Sequence, residues 1–183
     1  MLRRGFKSSC EEMAGFYRKR LELSSDAPLD PFNLASHLTV RVRTPKSFKA
    51  LPPDVCHRLL TEHSDCWSAF TLSMGSRPMI VYNPTHSERR QSSDLMHELA
   101  HLILSHTPSR LFIGSLGLPL RSHDQEQEAE ANWLCGCLLL PRIALTKIKR
   151  QRLSVEDATC LYRVSVEMLR YRMQVTGMNK IYG

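Results

Sequence analysis

Long hydrophobic runs are missing from this sequence of 183 residues. No apolar stretch reaches the roughly 18 residues that a membrane-spanning helix needs. The basic start, residues 1–7, has no apolar run behind it, as a secretory signal would have. The sequence therefore predicts a cytoplasmic protein with no membrane segment.

A regular cysteine pattern is missing too, which argues against the disulfide framework of a small secreted protein. The six cysteines are scattered at positions 10, 56, 66, 135, 137 and 160, and we expect reduced thiols. Cys135 and Cys137 form a C-x-C pair that could bind a metal or sense oxidation. Because the pair lies inside an apolar helical run, we interpret both as small core residues.

Internal repeats and low-complexity tracts are absent, and the 42% hydrophobic and 23% charged fractions are close to ordinary globular usage. The length fits one domain, with or without a small appended lobe. Of the net charge of +7, residues 142–183 contribute +6, from nine Lys and Arg against three acidic residues. This surplus makes an acidic partner or nucleic acid worth considering, although a solvated helix face is its commoner meaning.

The pattern of apolar residues predicts helices around a small sheet. Strands are predicted at 39–43, 67–72 and 78–82, and the first helix at 9–22. Capping residues predict further helix starts at Asp30, Ser87, Asp124, Ser154 and Ser165. A loop containing Gly114, Gly117 and Pro119 separates the two longest helices, and Pro141 ends the second of them.

Residues 97–101 read His-Glu-Leu-Ala-His, an H-E-x-x-H motif on the helix predicted from Ser87. Residues four apart on a helix differ by only about 40° around its axis, so both imidazoles can reach one metal ion. Glu98 projects about 100° from His97, where it can take a proton from water without being a ligand. Chance gives roughly 0.02 such matches in a chain of this composition.

A catalytic zinc usually takes three protein ligands and keeps one position for water. The helix predicted from Asp124 offers Glu126, Glu128 and Glu130 as the third ligand. The residues alone leave the choice among these three glutamates open.

Several segments together resemble the ImmA/IrrE family of metallopeptidases: Tyr82-Asn83-Pro84, Arg90-Gln91, the H-E-x-x-H motif, residues 128–132 and the Leu-Leu-Leu-Pro ending at Pro141. The resemblance implies an α+β, mainly helical, zincin-like metallopeptidase domain with a three-stranded sheet. It implies Zn²⁺ bound by His97, His101 and Glu128, because the third ligand in the family is a glutamate thirteen residues before the proline that corresponds to Pro141. Glu130 ranks second for the position of third ligand. The chain departs from the family at Ser93-Asp94 and at Leu134-Cys135-Gly136, and neither departure touches an implied ligand.

The implied activity is hydrolysis of a peptide bond, with Glu98 as general base. The implied substrate is a helix-turn-helix repressor of a stress or mobile-element operon. Tyr82, His106 and His123 are candidates for stabilising the oxyanion, although the helical angle of His106 points it away from the two ligands. We expect the strand before the metal helix, residues 79–82, to present an edge to the substrate.

The C-terminal segment, residues 142–183, is predicted as a basic helical lobe packed on the same core as a peptidase domain of residues 1–141. Two short helices around a turn resemble a helix-turn-helix, with Arg163, Arg170 and Arg172 on or near the second. The rival hypothesis is therefore a DNA- or protein-binding regulator with a structural zinc. Apolar residues at helical spacing, Met168, Leu169 and Met173, favour burial in the core, and an intact Glu98 favours the peptidase.

Overall fold

The computed structural model describes residues 2–74, 77–107, 111–113, 119–121 and 124–179. Its helices are α1 (Phe6–Arg20), α2 (Pro31–His37), α3 (Pro53–Leu60), α4 (Glu88–Ile103), α5 (Gln125–Leu139), α6 (Arg142–Arg150), α7 (Val155–Tyr162) and α8 (Val166–Val175). Its strands are β1 (Arg41–Arg43), β2 (Ala69–Met74), β3 (Arg77–Tyr82), β4 (Leu111–Ile113) and β5 (Pro119–Arg121). The mainly helical α+β class with a small three-stranded sheet is confirmed.

The three-stranded sheet has the order β1-β3-β2. β1 runs parallel to β3, with Val42 opposite Ile80, and β2 runs antiparallel to it, with Thr71 opposite the same Ile80. Ile80 is fully buried, as expected for a central strand covered by the helices. The prediction that residues 79–82 present an edge is therefore wrong, because β3 is paired on both sides, and β1 and β2 are the edge strands.

α5 is the central helix, and it packs against α1 and α4. Its residues from Trp133 to Leu139 are all buried, so this half of the helix is covered on every side. Cys135 and Cys137 belong to this buried run and carry free thiols, as do the other four cysteines. α4 also contacts α2, β2 and β3, and so lies between α5 and the sheet.

Buried residues of the C-terminal helices belong to the same hydrophobic cluster as those of α4 and α5. Arg172 on α8 is fully buried, and it donates to the Leu140 carbonyl at 3.0 Å and to Glu11 Oε1 at 2.6 Å. Leu169 and Met173 are buried, and Met168 is partly buried against them, as their spacing predicted. Arg172 is therefore not available to contact DNA as part of a helix-turn-helix, because its guanidinium joins α8 to α5 and α1.

Capping residues located the helix starts well. Asp30, Ser87, Asp124, Ser154 and Ser165 are each the N-cap of a helix and accept hydrogen bonds from its first turn. None of the described helices has the length and apolar composition needed to span a membrane.

Strand and loop boundaries differ more from the sequence expectation. β1 begins only at Arg41, because Thr39 has a left-handed backbone (φ 54°) that a strand does not accommodate. The region expected to be a loop contains the antiparallel hairpin β4–β5, in which Phe112 pairs with Leu120. Gly114 and Gly117 lie outside the described residues.

Candidate metal centre

His97 and His101 lie one turn apart on α4, which apolar residues fix against the core. The buried residues nearest them are Leu95, Met96, Leu99 and Ala100, all without solvent exposure. The side chains of His97 and His101 keep 25% and 19% of their area exposed. Burial of these four neighbours therefore orients both imidazoles toward one accessible face of the helix.

Donor atoms from α4 and α5 converge at this face. The Nε2 atoms of His97 and His101 are 3.0 Å apart. Glu128 on α5 places Oε2 3.3 Å from His97 Nε2 and Oε1 3.4 Å from His101 Nε2. These three residues also form the one group of potential metal-ligating side chains found among the described residues.

The donor set fits a zinc ion. Zinc bonds to imidazole nitrogen and carboxylate oxygen of about 2.0–2.2 Å at tetrahedral angles require ligand atoms about 3.3–3.5 Å apart. Each histidine nitrogen lies at such a distance from one of the two Glu128 oxygens, 3.3 Å from Oε2 for His97 and 3.4 Å from Oε1 for His101, and the nitrogen–nitrogen separation of 3.0 Å is slightly shorter. Two histidines and one carboxylate are also a ligand set of catalytic zinc sites, which keep a position open for water.

Glu98 lies between the two histidines in sequence but makes a different contact. Its carboxylate is almost buried, and Oε2 accepts a 2.7 Å hydrogen bond from the Thr71 hydroxyl on β2. A buried carboxylate without such a donor would be costly, so Thr71 both stabilises Glu98 and limits its rotation. The sequence reasoning missed Thr71, since nothing local in the sequence indicates which strand lies across α4.

A sequence model of the family described as Peptidase_M78, IrrE N-terminal-like domain, matches residues 53–174, about two thirds of the chain. The chain belongs to this peptidase family. The matched region runs from α3 into α8 and contains His97, His101 and Glu128 with Glu98 and Thr71. The match to this family model confirms the resemblance to ImmA/IrrE metallopeptidases at the level of the family. Comparison with curated proteins gives no match.

His106 lies close to His101 in this member of the family. α4 ends in a Schellman motif: Ser105 adopts a left-handed backbone (φ 53°), its N–H donates to the Leu102 carbonyl, and the His106 N–H donates to the His101 carbonyl at 3.0 Å. This turn folds His106 back so that its Nδ1 is 2.9 Å from His101 Nδ1. His106 does not belong to the group of three donors, as expected, but the argument from helical angle does not apply, because His106 is outside the helix.

Glu130, the second-ranked ligand of the sequence reasoning, lies behind the donor cluster. Its Oε2 is 3.2 Å from His106 Nε2, and its Oε1 accepts a hydrogen bond from Arg3 Nε at 3.2 Å. It is not part of the group formed by His97, His101 and Glu128.

Hydrogen bonds fix the chain where it enters α4. Asn83 Nδ2 donates to the Ser64 carbonyl at 2.7 Å, and Gln91 Nε2 donates to the His86 carbonyl at 2.6 Å. The buried His86 also has its Nδ1 3.3 Å from Asp94 Oδ2. Asn83 and Gln91 are among the residues that carry the family resemblance, and these bonds give them a physical role in orienting α4.

The remaining sequence candidates are Tyr82, His123 and the C-x-C pair of Cys135 and Cys137. The Tyr82 ring packs edge-on against Phe32, 5.6 Å between centroids, and His123 lies outside the described residues. Burial raises the pKa of the Cys135 thiol to about 12. The pKa of Cys137 is raised as well, first by a hydrogen bond with Cys10 and then by burial. The two cysteines are therefore buried core residues, as interpreted, and neither belongs to the group of potential metal ligands.

Proposed function

We propose that this chain is a zinc-dependent endopeptidase, with His97, His101 and Glu128 as ligands and Glu98 as general base. The observation that carries the proposal is the convergence of two imidazoles and one carboxylate, with ligand atoms within 4.8 Å of one another, beside the nearly buried carboxylate of Glu98. A zinc ion held there supplies a Lewis acid that activates a water molecule and polarises a peptide carbonyl.

Glu98 moves the proton in this proposal. Its carboxylate accepts the proton of the attacking water and returns it to the leaving amine. Because Thr71 donates to Oε2, we assign the transfer to Oε1. The Thr71 hydroxyl keeps the carboxylate plane in one orientation through both steps.

The substrate peptide, in this proposal, extends along β2. This strand is last in the order β1-β3-β2 and is therefore an edge strand of the three-stranded sheet. Backbone N–H and C=O groups on such an edge bind an extended peptide by adding it as a further strand. Since Thr71 belongs to β2 and contacts Glu98, a peptide on this edge would lie close to the general base.

We propose a helix-turn-helix repressor as the substrate, because the resemblance to ImmA/IrrE proteins implies this class. We also propose a cytoplasmic location, which agrees with six cysteines that form no disulfide framework. The rival function, a DNA-binding regulator with structural zinc, has less support. The helix that would contact DNA in that function, α8, has Leu169, Arg172 and Met173 buried in the protein.

Glu98→Gln tests the proposal, since it replaces one oxygen by an NH2 group of similar size. The amide oxygen can still accept from Thr71 but the side chain cannot accept a proton from water, so cleavage of a candidate repressor should fall at least about a hundredfold. Zinc content should remain that of the wild type. Glu88→Gln, at an exposed position on the same helix, is the matched control and should cleave normally. Undiminished cleavage by zinc-loaded Glu98→Gln would refute the assignment of the base.

A further inference from the structure

A line of polar side chains runs away from the donor cluster. His101 Nδ1 is 2.9 Å from His106 Nδ1, His106 Nε2 is 3.2 Å from Glu130 Oε2, and Arg3 Nε donates to Glu130 Oε1 at 3.2 Å. The His106 side chain is only 6% exposed, whereas that of Arg3 is 76% exposed. The line therefore starts beside the proposed ligands and ends at the surface.

The donors and acceptors along this line follow one order, from the carboxylate of Glu130 back to His101. An ionised carboxylate only accepts, so His106 Nε2 carries a hydrogen and donates it to Glu130. In neutral His106 the other ring nitrogen, Nδ1, is then an acceptor. Two nitrogens 2.9 Å apart share one hydrogen, so His101 Nδ1 is the donor. The lone pair of His101 is left on Nε2, the atom that faces His97 and Glu128.

Local backbone structure holds His106 in this position. The Schellman motif at the end of α4 fixes the His106 backbone to the His101 carbonyl, so the two residues cannot separate without unwinding the last turn. The two rings meet edge-on with centroids 5.0 Å apart. Glu130 is fixed separately, on α5, two residues beyond Glu128.

We propose that His106 and Glu130 are positioning residues for the metal: they hold His101 in the tautomer and orientation that present Nε2 as a ligand. This inference rests on the proposed zinc site. Partners of this kind behind a metal-binding histidine fix its ring and raise its basicity. Glu130 thus contributes to metal binding without being a ligand.

Zinc affinity is the first measurement, by competition with a chromophoric chelator. His106→Phe keeps an aromatic ring but has no nitrogen, and it should weaken zinc binding by about 10- to 100-fold. Glu130→Gln should also weaken it, by a smaller factor, because a neutral amide oxygen is a weaker acceptor than a carboxylate. His57→Phe is the control, since it makes the same substitution at an exposed position on α3, away from the donor cluster, and it should bind zinc like the wild type.

Nitrogen-15 NMR of zinc-loaded wild type gives a second measurement that needs no variant to fold. His101 should bind through Nε2 and keep its hydrogen on Nδ1, and His106 should be the Nε2–H tautomer. A His101 that carries its hydrogen on Nε2 would overturn the inference, and so would wild-type zinc affinity in His106→Phe. Either result leaves the peptidase proposal intact if the wild type binds zinc. Failure of the wild type to bind zinc would overturn the metal site and this inference together.

Discussion

Gly136 on α5 provides a sharp test of the packing around the site helix. In a helix interior, replacing Gly by Ala normally stabilises a protein by about 1 kcal/mol. At Gly136, however, an added Cβ would lie 2.7 Å from Arg172 Cδ, a distance that real Cβ contacts essentially never show. Gly136→Ala therefore sets helix propensity against overpacking.

The anchoring of Arg172 decides which effect is larger. Its side chain is fixed by the Leu140 carbonyl and by Glu11 Oε1, so it cannot move aside without weakening these bonds. Overpacking costs about 1–3 kcal/mol, and a hydrogen bond to a charged group contributes about 1.5–3 kcal/mol. Since Glu11 is 29% exposed, the lower part of the second range applies. Subtracting the propensity gain of about 1 kcal/mol from the overpacking cost leaves at most about 2 kcal/mol. Because the bonds of Arg172 oppose its displacement, we expect Gly136→Ala to destabilise the protein by about 1–2 kcal/mol.

Thermal and urea unfolding measure the change. For a chain of this length, 1 kcal/mol shifts Tm by about 2–4 °C. Gly15→Ala on α1 is the matched control: it is also a helical glycine, but an added Cβ there meets nothing within 4 Å. It should raise Tm while Gly136→Ala lowers it.

A double-mutant cycle identifies the cause. In an Arg172→Ala background the obstructing Cδ is gone, so Gly136→Ala should become stabilising, by about 1 kcal/mol. A stabilisation by Gly136→Ala equal to that of Gly15→Ala in the wild-type background would refute the reasoning, since Arg172 would then not be fixed above Gly136.

Three further predictions concern the site and the C-terminal helices. Glu128→Ala should lose most of the roughly one zinc per chain that a three-ligand site holds, as measured by elemental analysis. Glu126→Ala, at an exposed position on the same helix, should retain the zinc, and equal retention by both variants would place the third ligand elsewhere. Thr71→Val should lower kcat with zinc content unchanged, because Glu98 loses the donor that orients it; an unaltered kcat would contradict this. Fluorescence anisotropy should show only weak binding of duplex DNA, and tight, sequence-specific binding with a steep salt dependence would favour the rival regulator.

The parts of the site that the sequence predicted are those fixed by local geometry. The spacing of His97 and His101 needs only a helix, and the cap at Ser87 indicates where that helix begins. The choice of Glu128 among three glutamates came from family resemblance, because the residues alone cannot tell which one faces α4. The structure brings Glu128 to the histidines and directs Glu130 to His106.

The parts that the sequence did not predict depend on distant contacts or on an unusual turn. Thr71 reaches Glu98 across 27 positions of the chain, and only the strand order places β2 beside α4. His106 depends on a left-handed Ser105, where Gly or Asn would have indicated a Schellman turn from sequence. A helical angle cannot be applied to a residue beyond the end of its helix.

The two ends of α5 link the proposed site to the rest of the chain. Its N-terminal half carries Glu128 and Glu130, whereas the carbonyls at its C-terminal end accept hydrogen bonds from two buried arginines. Arg18 of α1 donates to the Leu138 carbonyl at 2.7 Å, and Arg172 of α8 donates to the Leu140 carbonyl. Carbonyls at a helix C-terminus have no partner within the helix and carry partial negative charge, so buried cations there are favourable. α1 and α8 thus both stabilise the helix that carries the proposed third zinc ligand, and loosening α8 should disturb metal binding as well as folding.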